Sequence, residues 1–260
     1  MEQTLKFPSR PPQNRWSFFD IFAIISDMEK RSVCYLNQNY SVTLRDDIDA
    51  LVFEEIFKHR VYRIIDEYLA TLTKPVIDVG AHAGFFTLYC RHFNNRVPII
   101  ALEPEPHNFE ALEHTCREQQ LVGVKCVKAA LGPINGEETL VLDVDSHNHH
   151  LNRGLAPKNK KTTVVDSCSL NSLCEFEKIK LVGLLKLDIE GGEYDIFEAM
   201  TKNDYNMVAA ILLEYHRFGS NNEKIIESKL RENGFSVQMF PSKFDKTMGF
   251  LWAINKRLKT

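Results

Sequence analysis

Four short clusters in this chain combine residue types that can do chemistry. The first is Asp78, Gly80 and Gly84 in "VIDVGAHAGFFTL", a D-x-G-x-x-x-G spacing where an apolar run meets an aromatic-rich one. Gly80 lets the backbone turn without a Cβ, and Gly84 opens the next helix, whose free amides can face a polar ligand. The second is Glu103, which ends the apolar run of "IIALEPEPHNFEAL". A carboxylate there can accept hydrogen bonds from both hydroxyls of a ribose, or cap the following helix. Pro104 and Pro106 stiffen that turn, and Asn108 either orients the loop or caps the helix.

The third cluster, "LLKLDIEGGEYD", gathers Lys186, Asp188, Glu190 and Glu193 around Gly191 and Gly192. So many ionisable groups at one strand end are costly unless they pair or face a site. Alternation along a strand puts Asp188 and Glu190 on one face with Lys186, their salt partner. The fourth, "AILLEYH", ends in Glu214 and His216. Imidazole suits proton transfer near neutral pH; Glu214 can orient it or act alone, and a supporting role for both is the alternative.

An alternating α/β chain would bring these clusters together. From Pro75 onward, apolar runs without period-two alternation are separated by stretches with helical spacing, which predicts strands buried on both faces of a parallel sheet. "FSVQMF" and "GFLWAI", with no helix between them, predict an antiparallel hairpin at its edge. The alternation breaks at about residues 132–165, where "ETLVLDV" and "KTTVVDS" flank a polar loop placed to reach over the site. His147, His149 and His150 in that loop read as solvated, and no metal site is expected.

Upstream, "SVCYLNQNYSVTLR" predicts a hairpin, while "DIDALVFEEIFKHR" and "VYRIIDEYLATL" each predict a helix. "WSFFDIFAIIS", with Ser17 and Asp20 in a capping arrangement, predicts a small amphipathic helix too short to span a bilayer. The expected organisation is a tail, helix, hairpin and helical cap over 1–72 and the main domain over 73–260.

The 260 residues carry a formal net charge of -3, so no overall field favours nucleic acid or an anionic membrane; the basic "PKNKK" with Arg153 is small and local. The six cysteines include no C-x-x-C pair and read as reduced thiols of a cytoplasmic protein. The glycine spacing differs from the G-x-G-x-x-G of dinucleotide sites, which argues against a nicotinamide oxidoreductase.

Taken jointly, "FEEIFKHRVY", "VIDVGAHAGFFTL", "ALEPEPHNFEAL", "VKAALG", "LLKLDIEGGEYDIF" and "ILLEYH" resemble the FkbM-type family of S-adenosyl-L-methionine-dependent methyltransferases, over roughly residues 45–216. The resemblance implies a class I methyltransferase fold: a Rossmann-like, doubly wound α/β sheet of seven strands in the order 3-2-1-4-5-7-6, the last one antiparallel. It implies that Asp78, Gly80 and Gly84 line the methionine side of S-adenosyl-L-methionine, that Glu103 holds the ribose, and that Ala129 and Ala130 lie near the adenine. Asp188 and Glu190 would sit where methyl donor and acceptor meet. His82 stands where the family commonly has Asn, and Gly192 where it has Ala; neither change removes a backbone contact, so His82, Pro104 and Asn108 stay in the expected cofactor set. The implied reaction is methylation of a hydroxyl on a small-molecule or carbohydrate acceptor, with Asp188, Glu214 or His216 as base. An RNA or protein acceptor, or a noncatalytic cofactor-binding module, is the alternative.

Overall fold

Runs of four apolar-dominated residues set the centre of the molecule. Val76–Val79, Ile99–Leu102 and Leu184–Leu187 are buried at every position, as strands covered on both faces must be. The computed structural model describes residues 29–35, 38–142, 150–151, 161–217, 222–242 and 245–258. The expected tail and amphipathic helix, His147, His149, Arg153 and residues 157–160 of the PKNKK patch fall outside them.

The described chain opens with the antiparallel hairpin β1 (Glu29–Tyr35) and β2 (Gln38–Leu44). Helix α1 (Asp47–Phe57) follows, capped by Asp46, whose carboxylate accepts the Asp49 N–H. The single helix expected over "VYRIIDEYLATL" is instead a 3-10 turn, Arg63–Ile65, running into the short α2 (Asp66–Thr71). Next come β3 (Val76–Val79), α3 (Phe85–Phe93), β4 (Ile99–Leu102), α4 (Pro106–Glu118) and β5 (Val124–Val127).

The stretch "VGVKCVKAAL" is divided. After β5 the chain leaves the main sheet, and β6 (Ala130–Leu131), β7 (Gly136–Leu142), β8 (His150–Leu151) and β9 (Lys161–Cys168) form a separate four-stranded sheet in the order β6-β9-β7-β8. The two runs that flank the polar loop are thus its antiparallel pair, β7 on β9. The main fold resumes with α5 (Leu170–Phe176), β10 (Leu184–Leu187), α6 (Glu193–Ala199), α7 (Lys202–Asn206), β11 (Ala210–His216), α8 (Glu223–Glu232), β12 (Phe235–Pro241) and β13 (Met248–Asn255).

The main sheet has seven strands in the order β5-β4-β3-β10-β11-β13-β12. β13 runs antiparallel to both neighbours and the β3, β4, β5, β10 and β11 pairings are parallel, which matches the expected order. Alternate residues feed two cores. Val76, Ile99 and Leu184 pack with α1, α3 and the hairpin, whereas Ile77, Ile100 and Leu185 pack with α5, α6 and α8. The N-terminal elements therefore share one core with the sheet, through Phe53, Phe57 and Tyr62. Among the described residues no helix is long and apolar enough to cross a membrane.

Gly80, just past β3, is at φ +71, and a Cβ there would lie 1.9 Å from the carbonyl oxygen of Asp188. Gly80→Ala therefore adds left-handed strain to a backbone clash between two central strand ends. It is expected to cost about 3 kcal/mol or more in urea unfolding; a loss under 1 kcal/mol would contradict this packing.

Candidate active site

The carboxyl ends of the parallel strands open into a cavity of ≈ 430 Å³, within the range of small-molecule sites. Gly80, His82, Glu103, Pro104, Asn108, Ala129 and Ala130 line it on the side of β3, β4 and β5. Asp188, Glu190, Glu214 and His216 line it at the ends of β10 and β11. Two expected site residues are elsewhere. Asp78 is fully buried behind the wall, where it accepts the Thr87 hydroxyl at 2.7 Å and lies 3.4 Å from Lys186 Nζ. Gly84, at φ 84, caps α3 and faces Leu112 of α4.

Lys186 ties the strand ends together. Register sets it opposite Asp78, and its ammonium donates to the carbonyls of Gly80 at 2.9 Å and Val79 at 3.3 Å while lying 3.5 Å from Asp188. Burial alone would lower its pKa, but Asp188 and Asp78 outweigh burial and raise it, so the cation persists.

Glu103 joins two loops: Oε2 accepts the His82 N–H at 2.8 Å and Oε1 the Glu105 N–H at 3.0 Å. Burial pushes its carboxyl up to about 7, although both amides work against the rise. The carboxyl is poised to ionise when a ligand supplies further donors.

At the other end, His216 Nε2 lies 3.4 Å from Glu190 and 3.9 Å from Glu214, and Nδ1 lies 3.5 Å from Glu193. Burial opposes the imidazolium, yet Glu193, Glu190 and Glu214 together push the His216 pKa up to about 10. These neighbours favour the imidazolium form of His216. Glu214 moves the opposite way for a carboxyl: burial, then the neighbouring Asp188, raises its pKa well above the usual range, which favours its protonated form. Glu190 reaches the cavity by a route other than strand alternation, because β10 ends at Leu187 and a left-handed turn, φ 54 at Glu190 and 98 at Gly191, carries it inward.

Several lining residues lie outside the four chemistry-bearing clusters. Val52, Glu55, Ile56, Val61 and Tyr62 come from α1 and the segment after it, Leu131 and Leu140 from the small sheet, and Asp245, Met248 and Phe250 from the end of the chain. Arg45 does not line the cavity but braces it. Its guanidinium donates to Asp49 at 2.7 and 2.9 Å, to Asn108 Oδ1 at 2.9 Å and to the His107 carbonyl at 3.1 Å, and lies 3.2 Å from His82 Nε2. The Asn108 side chain thus serves the brace, while its N–H is capped by Glu105 at 2.7 Å. The available signal was Asp49, an acid within the apolar stripe of α1 that is fully buried and demands a cation. Arg45→Met strands that charge, so a loss of about 3 kcal/mol is expected in urea unfolding. Stability equal to wild type would show that the brace is dispensable.

Residues 78–237 match the model of the methyltransferase FkbM domain. Methyltransferase 1 of Beauveria bassiana (strain ARSEF 2860) is 23% identical over 158 residues, 54% of this chain and 63% of that protein. Methyltransferase sdnD of Sordaria araneosa is 22% identical over 218 residues, 72% of this chain and 82% of its own length. Among solved structures, the methyltransferase FkbM from Methylobacillus flagellatus KT superposes with a TM-score of 0.49 at 11% identity, over 71% of this chain and 47% of that one. The chain therefore spans less than two thirds of the Beauveria protein and about half of the Methylobacillus chain.

Proposed function

The chain belongs to the FkbM methyltransferase family, and from that premise we propose that it methylates a hydroxyl oxygen of a small-molecule or carbohydrate acceptor, using S-adenosyl-L-methionine. The observation that carries this reading is a cavity at the strand ends with Glu103 at one end and Asp188 at the other. Its residues fit the cofactor. A carboxyl poised near neutrality suits a pair of ribose hydroxyls, because two donated hydrogen bonds favour its ionised form. Among the described residues, six carboxylic side chains and no lysine or arginine line the cavity, which suits a sulfonium cation. Gly80, His82, Glu103, Pro104, Asn108, Ala129 and Ala130 would hold the cofactor, with Asp188 at the methyl end.

When bound, S-adenosyl-L-methionine supplies a methyl group already activated on a positively charged sulfur. The protein's remaining work is alignment and removal of the acceptor's hydroxyl proton. His216 is already protonated and cannot take that proton; it fixes Glu190 and Glu193 instead. Glu214, biased toward its protonated form, serves as a hydrogen-bond donor. Asp188 is the proton acceptor we assign, held in place by Lys186. An acid-lined cavity disfavours a polyanionic acceptor such as RNA. Incubating the protein with labelled S-adenosyl-L-methionine and a panel of alcohols, sugars and bulk RNA tests the assignment by mass spectrometry. Gain of one methyl group by a hydroxyl compound is the expected result; label confined to RNA would overturn the acceptor class.

A further inference from the structure

Tyr62 presents a hydroxyl that the fold itself leaves unused. The side chain is only 5% exposed and lines the cavity, yet among the described residues its hydroxyl has no hydrogen-bond partner. A phenol in a cavity wall can hydrogen-bond to a ligand atom that enters there. The ring is fixed edge-on against Phe86 at 4.9 Å and Phe250 at 5.6 Å. Burial and the nearby Asp188 raise its pKa well above that of a free phenol, so it keeps its proton and can donate it in a hydrogen bond.

Its neighbours define the rest of the chamber. Strand register sets Phe250 beside Glu214 and Met248 beside His216, so Tyr62 stands over the end of the cavity where the acceptor must enter. Val52, Ile56 and Val61 continue the same wall, which is apolar from α1 to β13. Polar groups at this end are acidic, Glu55, Asp188, Glu190, Glu214 and Asp245, and the imidazolium of His216 already has three carboxyl neighbours.

Resting on the methyltransferase reading, we infer that the acceptor is an uncharged alcohol or phenol with an apolar body, whose hydroxyl oxygen accepts a hydrogen bond from Tyr62. The body lies on the wall of Val52, Ile56, Val61, Met248 and Phe250, and the hydroxyl points to the acidic floor. A bare sugar would leave its other hydroxyls against apolar side chains without partners. An acceptor carrying a carboxylate would meet five acidic residues and, among the described lining residues, no lysine or arginine.

Fluorescence titration of 2-naphthol into the protein saturated with S-adenosylhomocysteine tests this, with cofactor binding measured separately by calorimetry. Saturable binding is expected, weakened roughly fivefold in Tyr62→Phe while cofactor affinity and melting temperature stay at wild-type values. That variant keeps the ring packing and removes the hydroxyl alone. In the wild-type protein, 6-hydroxy-2-naphthoate is expected to bind at least about tenfold more weakly than 2-naphthol, and methyl β-glucoside weaker still. Equal binding of 2-naphthol by Tyr62→Phe and wild type would overturn the inference. So would methyl β-glucoside binding as tightly as 2-naphthol, or no 2-naphthol binding in a protein that does bind S-adenosylhomocysteine. Loss of cofactor binding itself in the wild type would instead sink the methyltransferase reading on which it rests.

Discussion

Asp188→Asn is expected to lower kcat about thousandfold while leaving S-adenosylhomocysteine affinity within a few-fold of wild type. Asparagine keeps the size and hydrogen-bonding capacity of the side chain but cannot take a proton. The change leaves the scaffold intact, because Lys186 retains Asp78 and the carbonyls of Gly80 and Val79. His216 offers no substitute base, since its carboxyl neighbours hold it protonated up to a pKa of about 10. Single-turnover rates with an acceptor returned by the mass-spectrometric screen are the measurement. A loss below tenfold would move the base elsewhere, with Glu190 the next carboxyl to replace.

Glu103→Gln is expected to weaken S-adenosylhomocysteine binding about hundredfold, the worth of two charge-assisted hydrogen bonds from a ribose. The wild-type protein should show a matching pH dependence. Burial pushes the Glu103 pKa up to about 7, and ribose donors would favour the ionised form, so binding below that pH should release a proton. Affinity should then rise about tenfold per pH unit up to 7 and level off above it. Stability of the ligand-free protein runs the other way. The folded-state pKa of about 7 lies above the ordinary 4.5, so the ionised form is the disfavoured one in the fold. The resulting cost is absent below pH 4.5, grows between 4.5 and 7, and reaches roughly 3 kcal/mol above that range. Thermal melts across pH should show a shallower decline between pH 4.5 and 7 in Glu103→Gln than in wild type. A variant that binds S-adenosylhomocysteine as well as wild type would remove Glu103 from the ribose site.

The parts of the cavity lining that were legible in the sequence are those carried by strand ends. Apolar runs ending in an acid forecast Glu103 and Asp188, because a two-faced strand can place a charge only where it leaves the sheet. The seven-strand sheet follows from the same runs. The position of Glu190 depends on a left-handed turn that alternation does not describe. Asp78 and Gly84 have the right residue types but the wrong side of the wall: one is drawn down by Thr87 and Lys186, the other turned toward Leu112. Arg45, Glu55, Tyr62 and Phe250 were hidden for another reason. Each reaches the site from an element distant in sequence, and only tertiary packing brings α1 and β13 over the ends of β10 and β11. The β7–β9 pair was likewise masked by the polar segment between its strands. The half of the cavity over the ends of β10 and β11 was therefore the less legible half.

Titration of S-adenosylhomocysteine into the wild-type protein by calorimetry tests whether this cavity holds S-adenosyl-L-methionine. The expected result is one saturable site per chain, with proton release at pH 6.5 that disappears in Glu103→Gln. A folded wild-type protein that gives no binding heat with millimolar S-adenosylhomocysteine, and no shift in melting temperature, would contradict it.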